Sequence, residues 1–180
     1  KPKPDPIGPA RNGGPLMLSR VAASLYWTAR YMERAEYVAR LVDVSLRMSA
    51  VQGGRSRGPE GDEWHSAIIA SGGKEIFFSK YDTATRQNVP NFLLLDRDNP
   101  SSAASCLATA RANARAVRTA LTVDMWESIN TTWMEISALD NCETSASEMY
   151  ATLDWIKSRT IHFSGSYLTT MLRDQAYAFL

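Results

Sequence analysis

The sequence predicts an all-α fold, a helical bundle of long antiparallel helices. Apolar residues recur at helical spacing over most of the chain, and no segment sustains the period-two alternation of a strand. No Asn-Gly or Asp-Gly turn sits between β-branched runs either, so the sequence carries no hairpin signal.

Four prolines fall among the first nine residues, and Asn12-Gly13-Gly14-Pro15 follows them. Such a composition buries no core, so residues 1–16 read as a leader or linker and residues 17–180 as one helical domain. An upstream extension, a linker to a fused domain and an appended tag all fit the leader, and Met17 is the natural start.

The first helix is expected from Leu18 to about Met48, with Ser19 as its N-cap. Val21, Leu25, Met32, Ala35, Ala39, Val42 and Leu46 form one apolar stripe. Glu33, Glu36, Arg40, Asp43 and Arg47 make a charged strip, while Arg30 and Arg34 lie beyond it beside Trp27, Leu41, Tyr26 and Val44. A helix with two apolar faces belongs in the middle of a bundle, with some of its ion pairs buried.

Gly53 to Gly61 is a glycine-rich basic loop that stops this helix. Asp62 is placed to cap a short helix through Ala70, Gly72-Gly73 ends it, and Lys74 to Tyr81 and Thr85 to Leu95 read as two more short helices, broken near Pro90. Asn99-Pro100 predicts a helix start at Pro100, running to about Ala120. Thr122 with Asp124 opens another through about Leu139, and a last helix runs from Thr144 to about Phe163, continued by Leu168, Met171 and Leu172.

Twenty Lys and Arg against nineteen Asp and Glu leave a net charge of +1, too little for a whole-chain attraction to nucleic acid or an anionic membrane. The longest apolar runs, such as Phe92 to Leu95, are far shorter than the ~20 residues of a membrane span. Without a signal-peptide core in the leader, the expected location is the cytoplasm. Cys106 and Cys142 match no metal-ligand or CxxC spacing and read as ordinary thiols.

Spacings of four and three residues place Arg111, Arg115 and Arg118 on one face of the helix after Pro100, with Ala103, Cys106, Ala110 and Ala120 opposite. Three guanidiniums together need anions. Either they bind a phosphate or carboxylate ligand, or they pair with Glu33, Glu36 or Asp43 of the first helix. Bordering apolar residues suggest that Glu33, Arg111 and Arg115 share one buried or half-buried cluster. No phosphate loop, GxGxxG, GxSxG or HExxH occurs, and neither His65 nor His162 has the Glu-x-x-His spacing of a di-iron bundle. No metal, no cofactor and no catalytic residue is therefore assigned. Tyr26, Trp27, Tyr31, Trp126, Trp133 and Trp155 recur at helical spacing, as core aromatics do.

The segment from Met17 to Asp43, with Glu33-Arg34 inside it, resembles the opening of the bacterial alpha-E family, an all-helical domain marked by a Glu-Arg motif. Phe92 to Asp96, Asn99 to Ser101, Ala110 to Arg118 and Trp126 to Asn130 resemble that family's central signature. The resemblance covers about the first half of the family's length. Met171 to Leu180 weakly echoes Met17 to Tyr26, which suggests an internal duplication cut inside its second copy, with apolar surface left uncovered and possible self-association as a homo-oligomer.

By this resemblance the motif falls on Arg30, Glu33, Arg34, Glu36, Arg40, Arg111, Asn113, Arg115, Arg118, Trp126 and Asn130, without assigned roles. Alpha-E members accompany, or are fused to, circularly permuted ATP-grasp ligases, often with a transglutaminase-like peptidase. The resemblance therefore implies a non-catalytic helical partner or substrate-binding module of an ATP-grasp peptide ligase (amidoligase) system. A structural oligomerisation domain and an enzyme using the Glu and Arg cluster are the alternatives.

Overall fold

The computed structural model describes residues 14–51, 63–139 and 146–170, and within them seven α-helices and no strand. The helices are α1 (Gly14–Val51), α2 (Glu63–Ser71), α3 (Lys74–Lys80), α4 (Asn88–Leu94), α5 (Ala103–Ala116), α6 (Val123–Ala138) and α7 (Ala146–Thr170). The all-α bundle is the architecture that the periodicity predicts.

Four of these helices close a ring. α1 packs on α5, α5 on α6, α6 on α7, and α7 returns to α1. Neighbours run antiparallel: Arg34 lies beside Ser101 while Tyr31 borders Ala104, and Asp43 pairs with Lys157 while Met32 and Glu36 border Thr160 to Tyr167. α2, α3 and α4 form a smaller layer against α1.

The ring closes because each long helix offers a stripe that must leave water. Met32, Val42 and Leu46 of α1 meet Leu107 of α5, Met125, Ile129 and Ile136 of α6, and Leu153, Ile156 and Phe163 of α7 in the buried core. On α5 the stripe is small, with Ala103, Cys106, Ala110 and Ala114 all fully buried, which lets α1 approach closely. The α2–α4 layer is tied down by aromatic packing, with Phe77 edge-on to Phe92 at 5.1 Å between ring centroids. At the end of α2, Gly72 takes φ +74°, a left-handed cap that glycine adopts without strain.

Boundaries depart from expectation at α1, at α4 and at both ends of α5. α4 opens at Asn88, not Thr85, and runs unbroken through Pro90, which sits in its first turn where a missing amide costs the helix no bond. α1 opens at Gly14, not at a Ser19 cap, and reaches Val51. α5 begins at Ala103, three residues after Pro100. Asn99 is fully buried and builds the preceding turn, accepting from the Ser101 amide at 2.9 Å and donating to the Phe92 carbonyl at 3.0 Å. Ser102 is the actual N-cap, accepting from the Ser105 amide at 3.1 Å. The helix also stops early, at Ala116, and Arg118 stands in a separate 3-10 turn, Arg118–Ala120. By contrast Thr122 caps α6 as expected, through the Met125 amide. The expected leader over residues 1–13, the basic loop, Asp62, Cys142, Thr144 and the echo at Met171 to Leu180 lie outside the described residues.

Candidate functional site

Glu33-Arg34 is the only Glu-Arg step in the chain. It sits on α1 turned away from the buried stripe, because Met32 and Ala35 on either side occupy the core. Trp27, Arg30, Tyr31, Arg34 and Tyr37 follow one another at intervals that keep them on one side of the helix. Opposite them stand Pro100 and Ser101, presented by the Asn99 turn, and a groove of about 580 Å³ opens between.

Within this groove Arg30 and Glu33 form an ion pair one turn apart, both more than half exposed at 55% and 60%. Arg34 reaches across to the turn that precedes α5, donating from Nη2 to Ser101 Oγ at 2.8 Å. That is its one hydrogen bond among the described residues, and it has no carboxylate partner there. Trp27 and Tyr37, each 49% exposed, form the aromatic walls, and Tyr37 is held by donating to the Ala70 carbonyl of α2. An arginine with uncommitted donors beside exposed rings is suited to a carboxylate or phosphate carrying an apolar body. Behind it, burial pushes the Cys106 thiol up to about 11, against the opposing charge of Arg34. That thiol stays protonated and unreactive at neutral pH.

The expected buried cluster of Glu33, Arg111 and Arg115 does not form. α5 must turn its alanine face to α1, which carries Arg111 and Arg115 roughly a quarter turn or more away, toward α6 and solvent. Arg111 donates from Nε to Asn130 Oδ1 at 2.8 Å and lies over Trp133 at 4.0 Å from its centroid. It also approaches Trp126 at 5.9 Å, where Arg118 lies at 5.3 Å. Arg115 is exposed, and Asn113 only bonds back to the Thr109 carbonyl. Among the described residues none of the three arginines pairs with a carboxylate.

The acidic residues of α1 are taken locally instead. Glu36 holds Arg40, and Asp43 holds Arg47 and, at 3.0 Å, Lys157 of α7. Hydrogen bonding from Arg47, then from Lys157, keeps the Asp43 carboxyl below its ordinary value against the opposing effect of burial. These pairs are helix staples and one α1–α7 clasp, not a buried network.

The motif residues are therefore not brought together. Arg30, Glu33 and Arg34 line the groove, Arg111, Arg118, Trp126 and Asn130 meet where the end of α5 and the turn after it pack on α6, Glu36 and Arg40 pair on α1, and Asn113 and Arg115 join none of these. Reading the aromatics as core was mistaken for Tyr26 and Trp27, because the ring covers α1 only toward α5 and α7. Tyr31, Trp126, Trp133 and Trp155 are half-buried. The reading also missed Pro100 and Ser101 as groove residues; the sequence signal was Asn99, whose turn aims them at α1. Among the described residues no cluster of His, Cys, Asp or Glu could hold a metal ion, and no helix is long and apolar enough to cross a membrane.

An all-helical ring displaying a single Glu-Arg step beside an open groove is the class of protein that fold and site define. The chain belongs to the Alpha-E family, described as a predicted alpha-helical domain with a conserved ER motif, which it matches over residues 17–180. No curated protein and no solved structure matches it.

Proposed function

We propose that this domain is a non-catalytic helical partner of an ATP-grasp peptide ligase, and that the Glu33-Arg34 groove holds the ligase or its acidic substrate. The observation that carries the reading is Arg34: it sits in an open groove, fixed by Ser101, with donors to spare and no carboxylate paired with it among the described residues. Arg30 is neutralised by Glu33, so the groove directs one free guanidinium at an incoming group. The association of Alpha-E members with ATP-grasp ligases supplies the partner, and a transglutaminase-like peptidase is the second protein to test. A purely structural role would call for arginines satisfied by intramolecular carboxylates, and Arg34, Arg111, Arg115 and Arg118 lack them among the described residues.

The direct test is capture of, and ligation by, an ATP-grasp peptide ligase of the kind that accompanies Alpha-E members, with wild type compared with Arg34→Ala. Wild type should bind the ligase or alter its rate or substrate range, and Arg34→Ala should weaken that effect while melting normally. Absence of both binding and rate effect with wild type would sink the reading.

A further inference from the structure

The groove beside Glu33-Arg34 does not end at Pro100. A second depression of about 380 Å³ adjoins it, and Tyr31 and Pro100 line both. Ala104 and Ala108 of α5 form part of its lining, and Arg97 and Trp133 stand on its walls. Arg97 is exposed and donates to the Ser137 carbonyl at 3.0 Å, which fixes the guanidinium without neutralising it. Among the described residues it too has no carboxylate partner.

Two unneutralised arginines, Arg34 and Arg97, thus occupy separate lobes that meet at Tyr31 and Pro100. Each lobe is within the usual size range of a ligand site, so a molecule reaching both arginines must be longer than a single small anion. Among the described residues the one carboxylate on either wall is Glu33, which Arg30 already holds.

We propose that the two lobes form one trough for an extended acidic peptide, with one carboxylate on Arg34 and Ser101, a second on Arg97, and the chain between them crossing Tyr31. The proposal rests on the binding-module reading and adds the class of ligand and the path it takes. A nucleic-acid strand is a poorer fit, because its evenly spaced run of phosphates calls for a line of cations, and the described residues of the trough offer two unmatched arginines in separate lobes.

Fluorescence anisotropy of the full chain with fluorescein-labelled hexaglutamate tests this, at two salt concentrations and with hexaglutamine as the neutral control. Arg34→Ala and Arg97→Ala should each weaken binding by about tenfold, as expected for loss of a charge-assisted hydrogen bond. Arg115→Ala, an equally exposed arginine on α5 outside the trough, should change it less than twofold. Equal loss from Arg115→Ala would mean diffuse attraction and overturn the trough, and no loss from Arg97→Ala would confine the site to one lobe and overturn it equally. Tighter binding of a labelled hexathymidylate would also overturn it, in favour of nucleic acid. Melting curves check that each variant is folded, and Arg34→Lys, which keeps the charge, should retain part of the affinity. Ligase capture is measured in parallel: capture without hexaglutamate binding sinks the trough alone, and failure of both sinks the binding-module reading with it.

Discussion

Arg34 and Asn99 show how differently two polar residues a few ångströms from the same groove bear on this protein. Arg34 is exposed and spans to Ser101 by one hydrogen bond, so Arg34→Ala should shift stability by no more than about 1 kcal/mol while removing the groove's free cation. Asn99 is fully buried and serves both the Phe92 carbonyl and the Ser101 amide. Asn99→Ala leaves those two backbone groups without their partner and should cost about 1–3 kcal/mol, seen as a melting point lower by several degrees. It should also impair binding, because Ser101 loses its support. Glu33 belongs with Arg34: its ion pair with Arg30 is exposed, so Glu33→Ala should match the exposed Glu127→Ala within about 0.5 kcal/mol in thermal melts. A drop of several kcal/mol would restore the buried-cluster picture. Ser128 is the opposite case, a buried hydroxyl whose Oγ finds no partner among the described residues, so Ser128→Ala should leave the melting temperature unchanged or raise it.

At the scale of elements, the seam between α1 and α7 carries the pH dependence. Lys157 bridges Asp43 at 3.0 Å and Asp154 at 2.8 Å, and Asp43 also accepts from Arg47. Asp43 is held below its ordinary 3.8, so the folded state binds its proton less readily than the unfolded chain does. Its stabilisation is complete above about pH 4 and is lost as pH falls through the depressed value. Glu135, lowered first by its hydrogen bond from Arg159, adds to the same acid limb between α6 and α7. Lys157 has the opposite sense: raised above 10.5, chiefly by Asp154, it stabilises fully at neutral pH and loses that contribution as pH rises from 10.5 through its folded value. Asp43→Asn should therefore lower the melting temperature at pH 7 and narrow its gap from wild type as pH approaches 3. A constant gap from pH 7 to pH 3 would show that the clasp is not what titrates.

For the whole molecule, local chemistry was enough to place the helices. The apolar stripe of α1, the Thr122 cap of α6 and the Gly72-Gly73 stop after α2 are each written in a few neighbouring residues, and backbone hydrogen bonding within a helix needs nothing more distant. Asn99-Pro100 marked a real junction but misplaced its start, because Asn99 spends its side chain on the Phe92 carbonyl, a contact seven residues back that no capping rule anticipates. The Glu-Arg step and the resemblance to Alpha-E were likewise legible in sequence alone. The Glu36–Arg40 pair within α1 was legible too, but which charges meet between helices was not. Helical spacing fixes the angle between side chains on one helix but leaves its rotation against a neighbour undetermined. Close packing of the α5 alanines on α1 decided that rotation, turning Arg111 to Asn130 and Trp133 and leaving Arg34 with Ser101 at the groove. The sequence by itself thus determined the helices and the family, while the groove exists only because tertiary packing, driven by burial of small apolar faces, set where the remaining polar faces point.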